Sequence, residues 1–199
     1  MYDEIPGIDP WIVEHEIKTY PDAIPTRQHL RAMNPCKELA IKENIKNMLK
    51  VDFIYLVPLN EWLSNPISID KKHGTILVCI DFRDINKAYP KDKFPTPFTN
   101  HILDECAGSE VFSFMDGFLG YNQIHIKSEN QHKMDFICPW GTFAYRKMPF
   151  VLKNAEVTFQ QEMNFDFHDL KRIIEVYLDD LAAHSHLRVD HPNHLRLVF

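Results

Sequence analysis

Ile173-Ile174-Glu175-Val176-Tyr177-Leu178-Asp179-Asp180-Leu181-Ala182-Ala183 reads as a strand, a reversal and a returning strand. β-Branched and aromatic residues fill the first arm, two acids mark the reversal, and small apolar residues open the second. Another apolar strand, Val111 to Met115, also ends on an acid, Asp116. Between them lies the clearest helical stripe in the chain: Leu152, Ala155, Phe159, Met163, Phe167 and Leu170, entered through Asn154 as an N-cap. Strands, one long helix, then strands describe an α+β domain, not a doubly wound βαβ sheet. Side chains alternate along a strand. Tyr177 and Asp179 are therefore expected on one face, with Leu178 and Asp180 on the other and Leu178 buried beneath the sheet.

Outward from this core the punctuation is regular. Gln123 to Ile126 alternates as a strand, and Met134 to Cys138 with Thr142 to Lys147 forms a hairpin around Pro139-Trp140-Gly141. Toward the N-terminus, Ile67-Ser68-Ile69 and Thr75 to Phe82 flank a turn at Lys72-His73-Gly74, and Phe53 to Val57 is a further short strand. Pro90, Pro95 and Pro97 break a loop. Cys36 to Lys50 carries Ile41, Ile45, Met48 and Leu49 at helical spacing. Residues 1–35, punctuated by Pro6, Pro10, Pro21, Pro25 and Pro35, read as an extended arm.

At 199 residues, 45% hydrophobic and 25% charged, the chain is of ordinary globular composition. No apolar run reaches the ~20 residues that span a bilayer, and the N-terminus lacks the basic start and apolar stretch of a signal peptide. A soluble intracellular protein with no membrane partner is expected, its compartment undetermined. The formal charge of −6 argues against binding nucleic acid by bulk electrostatics, though not against a local basic groove. Cys36, Cys79, Cys106 and Cys138 stand too far apart for a C-x-x-C site and read as reduced, mostly buried thiols.

Adjacent carboxylates repel and raise one another's pKa, so Asp179 and Asp180 set against Asp116 make chemical sense around a divalent cation. Hard oxygen donors suit Mg²⁺ or Mn²⁺, and two such ions ~3.5–4 Å apart activate a hydroxyl and stabilise a leaving pyrophosphate. Taken alone, an Asp-Asp pair in a turn is more often ordinary turn chemistry. His184, His186, His191 and His194 offer a zinc or nickel site by spacing, but they have no Cys partner and read first as a solvated helix-to-loop segment.

Several blocks occur in a fixed order: Trp62-x-Ser64-Asn65-Pro66, Lys71-Lys72-His73-Gly74-Thr75, Cys79-Ile80-Asp81-Phe82-Arg83-Asp84-Ile85-Asn86, Phe112 to Asp116, Gly120-Tyr121-Asn122-Gln123-Ile124, Phe150 to Gln160, and Tyr177-Leu178-Asp179-Asp180. Together, from about Pro6 to the last residue, they resemble the reverse transcriptase domain of gypsy-class LTR retrotransposon polyproteins, the plant type especially. The resemblance implies a right-hand polymerase fold of fingers and palm, with an antiparallel palm sheet backed by helices. Residues 36–110 would be mainly fingers and 111–199 mainly palm. Asp116, Asp179 and Asp180 match the catalytic, metal-binding acids, with two Mg²⁺ (or Mn²⁺) ions as cofactor. Tyr121 matches the gate that rejects a 2′-hydroxyl. Lys71, Lys72 and Phe150 match the nucleotide-binding side, and Asp81, Arg83, Gln160 and Tyr177 the template and primer side. The implied partners are an RNA or DNA template with its primer, and a dNTP.

The chain departs from the pattern at three positions. Leu77 stands where an arginine to the triphosphate is expected, Val151 where a glycine is expected, and Glu156 where a small residue or proline is expected. A β-branched Val151 would be strained if that backbone needs a positive φ. The chain ends about twenty residues past the acid pair, so thumb, RNase H and integrase, the remainder of such a polyprotein, are expected to be absent. The expectation is RNA-directed DNA polymerase chemistry that is weak or lost in this copy. The alternative is a non-catalytic remnant that binds nucleic acid or a protein partner.

Overall fold

The computed structural model describes residues 7–70, 76–117 and 120–199. In chain order the elements are β1 (Glu14–His15), α1 (Pro35–Lys50), β2 (Ile54–Leu56), β3 (Pro66–Asp70), β4 (Ile76–Ile80), α2 (Arg83–Lys87), α3 (Thr99–Glu105), β5 (Val111–Asp116), β6 (His125–Ile126), β7 (Asp135–Cys138), β8 (Gly141–Tyr145), α4 (Ala155–Asp166), β9 (Ile174–Tyr177), β10 (Asp180–Ser185) and α5 (His191–Val198). Helices and antiparallel strands alternate irregularly, the α+β class expected. The chain divides into two compact units, residues 1–91 with 121–155 and residues 92–120 with 156–199.

The first unit holds an antiparallel sheet in the order β2-β8-β7 and the β3–β4 hairpin, whose register pairs Ile67 with Cys79. Among the described residues of the N-terminal arm, 7–34, the one named element is β1. The arm is not free, however: β1 pairs in parallel with β6, and Ile17 beyond it is fully buried. The start of α1 is set by Asn34, whose side chain accepts from the Cys36 N–H at 3.0 Å, and by Pro35 in the first turn. Asp52 ends it with a φ of 57°, while the N–H groups of Asp52 and Phe53 return to the carbonyls of Leu49 and Met48. Helix α1 buries Ile41 and Ile45. A cluster of Phe82, Phe136, Phe143 and Tyr145, with ring centroids 5.6–5.9 Å apart, makes the aromatic part of the core.

The second unit holds a three-stranded antiparallel sheet in the order β5-β10-β9 together with α3, α4 from Glu156 onward, and α5. The helical stripe is shorter than its periodicity implies. Helix α4 ends at Asp166, and Met163, Phe167 and Leu170 are only half-buried. Helices α2 and α3 have no counterpart in the sequence reading. The first buries only Ile85 and the second buries nothing, so neither shows an apolar stripe.

Two buried titratable groups in the first unit oppose one another. Asp135 on β7 receives a hydrogen bond from Asn60 Nδ2 at 2.6 Å, while its Oδ1 has no partner among the described residues. Burial pushes its carboxyl up to about 6, and burial pushes the His15 imidazole down to about 4. The folded chain therefore holds the Asp135 proton to higher pH than the unfolded chain does, so this group makes stability fall as pH rises from about 4 to about 6. For His15 the sign reverses, and stability rises from about pH 4 to about 6.5. In Asp135→Asn the His15 rise should stand uncompensated. Urea denaturation midpoints of the variant should climb more steeply between pH 4.5 and 6.5 than those of the unaltered chain, and parallel profiles would contradict this assignment.

Candidate active site

Register places the acids. β5 and β10 pair Asp116 with Asp180, Phe114 with Ala182 and Phe112 with His184, and β9 pairs Tyr177 with the same Asp180. Directly opposed residues share a face, so Asp116, Asp180 and Tyr177 form one row across the end of the sheet. All three are exposed. The same face continues into Phe112 and Phe114, stacked with centroids 6.1 Å apart, Phe114 being 80% exposed. The opposite face carries Ile174, Val176, Ala183 and Ser185, all buried.

The reversal between β9 and β10 is a two-residue turn, Leu178-Asp179, closed by the Tyr177–Asp180 pair. Of the turn residues only Leu178 has a positive φ, 56°. That is the pattern of a type II′ hairpin turn, whose first position ordinarily calls for glycine. The alternation expected through Leu178 and Asp179 therefore fails. The strand stops at Tyr177, Tyr177 and Asp180 share a face, and Leu178 is half-buried, not part of the core.

Two hydrogen bonds fix this turn. The Gly117 N–H donates to the Asp179 carbonyl at 2.6 Å, and the Leu178 N–H donates to Gln160 Oε1 at 2.7 Å. A Cβ on Gly117 would meet the Asp179 oxygen at 3.1 Å, so the Asp116-Gly117 pair lets the end of β5 approach the turn closely. Gln160 is fully buried. Nothing in its sequence context marks it as a partner of the turn.

The other residues singled out in the sequence distribute between the units. Asp81, in the first unit, is buried between two guanidiniums. Arg83 bonds it in a fork at 2.6 and 2.7 Å and Arg31 at 3.0 Å, holding its carboxyl below the usual carboxylate range. Arg31 comes from the N-terminal arm and was not legible in sequence. The same segment is stitched on by Asn65, whose side chain bonds the His29 carbonyl and the Arg31 N–H, and by Gln28 of the arm, whose Oε1 accepts from the Asn65 backbone and amide N–H groups. Arg83 and Phe150 are exposed, and Tyr121 is half-buried in a 3-10 turn, Gly120–Gln123. Lys71 and Lys72 lie outside the described residues. Leu77 sits on β4 opposite Ile69, and Glu156 is exposed in the first turn of α4. The condition for strain at Val151 is not met, because its φ is not positive. Its carbonyl accepts from Asn86 Nδ2 at 2.9 Å.

Of the four histidines, His186 is exposed and His194 half-buried, but the other two are not solvated. His184 lies on β10 and His191 opens α5, both buried. His191 Nε2 is 2.8 Å from Ser113 Oγ and its Nδ1 2.8 Å from Ser185 Oγ, which also meets His194 Nδ1 at 2.7 Å. Serine hydroxyls therefore occupy these rings, and they serve to dock α5 on the sheet.

Among the described residues no group of His, Cys, Asp or Glu side chains is already closed around a metal position. The donors at the sheet end nonetheless fit a hard divalent cation. Asp116, Asp179 and Asp180 are carboxylates brought to one end by register, and none is ion-paired among the described residues.

With this geometry in view, the fold belongs to the fingers-and-palm polymerases. It superimposes on the protease-reverse transcriptase of prototype foamy virus with a TM-score of 0.79 at 20% identity, covering 93% of this chain and 24% of that one. A foamy viral protease-reverse transcriptase solved with double-stranded DNA matches with a TM-score of 0.78 at 19% identity, over 93% of this chain and 32% of that one. Residues 69–199 match the model of the reverse transcriptase (RNA-dependent DNA polymerase) family, and the chain belongs to that family. The Transposon Tf2-3 polyprotein of Schizosaccharomyces pombe is 30% identical over 129 residues, 64% of this chain and 10% of its own length. The chain thus spans about a tenth of the curated relatives it matches. No helix among the described residues is long and apolar enough to cross a membrane.

Gly120 offers a test of the packing behind this site. A Cβ there would fall 2.5 Å from Phe159 Cζ on α4. Gly120→Ala should cost about 1–3 kcal/mol by overpacking, read from urea denaturation, and Phe159→Leu added to it should recover part of the loss. An unchanged midpoint in Gly120→Ala would contradict the close approach.

Proposed function

We propose that the chain is the reverse transcriptase domain of a gypsy-class LTR retrotransposon polyprotein of plant type, carrying out nucleotidyl transfer from a dNTP to a primer 3′-hydroxyl on an RNA or DNA template. The observation that carries this reading is the strand register that sets Asp116 against Asp180 at an exposed sheet end, with Asp179 in the turn beside them. In this reading residues 36–110 serve mainly as fingers, 111–199 mainly as palm, and residues 1–35 as an arm.

Asp116, Asp179 and Asp180 would hold two Mg²⁺ or Mn²⁺ ions. Ions bound there supply Lewis-acid activation of a hydroxyl and charge neutralisation at a leaving pyrophosphate. The protein's own part is positioning. The register aligns Asp116 with Asp180, and the Gly117 and Gln160 bonds hold Asp179 beside them. Tyr121 selects against a 2′-hydroxyl, while Lys71, Lys72 and Phe150 serve the nucleotide. Arg83 and Tyr177, both exposed, serve the template and primer, with Asp81 orienting the Arg83 guanidinium.

Activity of this copy is low in the proposed reading. Leucine at 77 supplies neither donor nor charge where relatives of this pattern place a cation, and loss of one such contact costs on the order of 10²–10³ in rate. Glu156 adds a carboxylate on the nucleotide side. Primer extension on poly(rA)–oligo(dT) with dTTP, run with Mg²⁺ and with Mn²⁺, tests this. Weak metal-dependent incorporation is expected, abolished in Asp116→Asn and raised at least roughly tenfold in Leu77→Arg. Salt-sensitive binding of the template–primer with no incorporation in either the unaltered chain or Leu77→Arg would overturn the catalytic reading in favour of a binding remnant.

A further inference from the structure

We propose that Gln160 is a positioning residue for the acidic centre. Its buried amide holds Leu178 in a left-handed conformation and thereby fixes where Asp179 and Asp180 stand. The inference rests on the reading of Asp116, Asp179 and Asp180 as a metal centre, and it adds the device that aims two of them.

The turn carries a mismatch between residue and backbone. A leucine occupies the turn position at φ 56°, where the Cβ of an L-residue crowds the backbone and glycine would adopt the same angle freely. Something outside the turn must hold it. Gln160 is the group in place. It lies on α4, has no exposed surface, and spends both ends of its amide on the hairpin and its own helix. Oε1 accepts from the Leu178 N–H at 2.7 Å, and Nε2 donates to the Val176 carbonyl at 3.3 Å and to Asn164 Oδ1 at 2.9 Å. The orientation of the amide follows from these partners. A backbone N–H requires an oxygen opposite it and a carbonyl requires a nitrogen, so the flipped amide would lose both backbone bonds. Helix α4 thus grips the hairpin on both sides of Tyr177.

The clamp works with a second one. The Gly117 N–H reaches the Asp179 carbonyl from β5, so the two peptide groups of the turn are held from two different elements. Neither bond uses a carboxylate. The backbone that carries the acids is pinned while their oxygens stay available to a cation. Glutamine suits this task better than its neighbours in size. Glutamate would keep the acceptor for Leu178 but set a buried charge against the Val176 carbonyl, and methionine would fill the space with no polar end.

The test uses the full chain and three readouts. Amide exchange followed by NMR should show Leu178 protected in the unaltered protein. In Gln160→Met it should exchange at least roughly tenfold faster, with protection in α4 and β10 retained and the Leu178 ¹³Cα shift leaving the left-handed range. Mn²⁺ affinity, titrated by electron paramagnetic resonance, should fall roughly tenfold or more in the same variant, as it does when groups supporting metal ligands are removed. Adding Leu178→Gly should restore most of that affinity, because glycine takes the turn angle without help. A merely structural role for Gln160 would not be rescued by a change in the turn.

An unprotected Leu178 amide in the unaltered chain overturns the proposal before any variant is made. So does a released amide in Gln160→Met with unchanged Mn²⁺ affinity. Should Gln160→Met fail to fold, Asn164→Ala removes an acceptor that orients the Gln160 amide and should give a smaller acceleration at Leu178. No acceleration there counts against the clamp. If the unaltered chain binds no Mn²⁺, the metal-centre reading falls. The exchange and ¹³Cα data then decide separately whether Gln160 holds the turn.

Discussion

The pairing of β5 with β10 is the constraint on which the second unit depends. A slip of one residue in an antiparallel ladder turns every side chain to the other face. Here a slip of β10 on β5 would turn Asp180 to the side where Ala183 and Ser185 are buried, away from Asp116, and would expose those buried positions instead. Burial on one face therefore enforces the register that the acids need on the other. The hydrogen bond from Gly117 to Asp179 closes the pairing at its end, and a side chain at 117 would crowd that approach.

The first unit is organised around a different device. Asp81 is buried, yet it stays ionised because Arg83 and Arg31 both reach it, and the exposed Arg83 guanidinium is held in a fixed plane as a result. Arg31 reaches in from the proline-rich arm, and Gln28 and Asn65 tie the same segment to the body of the unit. An arm with almost no regular structure is thereby part of the fold. Opening it would leave Asp81 with Arg83 as its one remaining partner among these.

Much of this was legible in the sequence because it rests on local pattern. The β3–β4 and β7–β8 hairpins, α1 read as Cys36 to Lys50, and the strands ending at Asp116 and before Asp179 follow from alternation, helical spacing and turn residues. The misreadings share a cause. Leu178 was placed by extending strand alternation one residue into a turn, and turn geometry overrides alternation. His191 and His194 looked solvated because Ser113 and Ser185, their partners, are recognisable as such only once β5 and β10 are paired. Arg31 escaped notice, and Gln160 was matched only to the template and primer side and not to the turn, for the same reason, since each acts on a residue brought to it by tertiary structure. Helices α2 and α3 bury too little to leave a stripe.

The central claim is that register gathers Asp116, Asp179 and Asp180 into one divalent-cation site. Crystals of the chain grown or soaked with Mn²⁺ and measured at the manganese absorption edge test it most directly. The account predicts anomalous density at the end of the β5–β10 pair, within coordinating distance of the Asp116 carboxylate and at least one of Asp179 and Asp180. Manganese bound only elsewhere, or none at the sheet end with the three carboxylates turned apart, would contradict it.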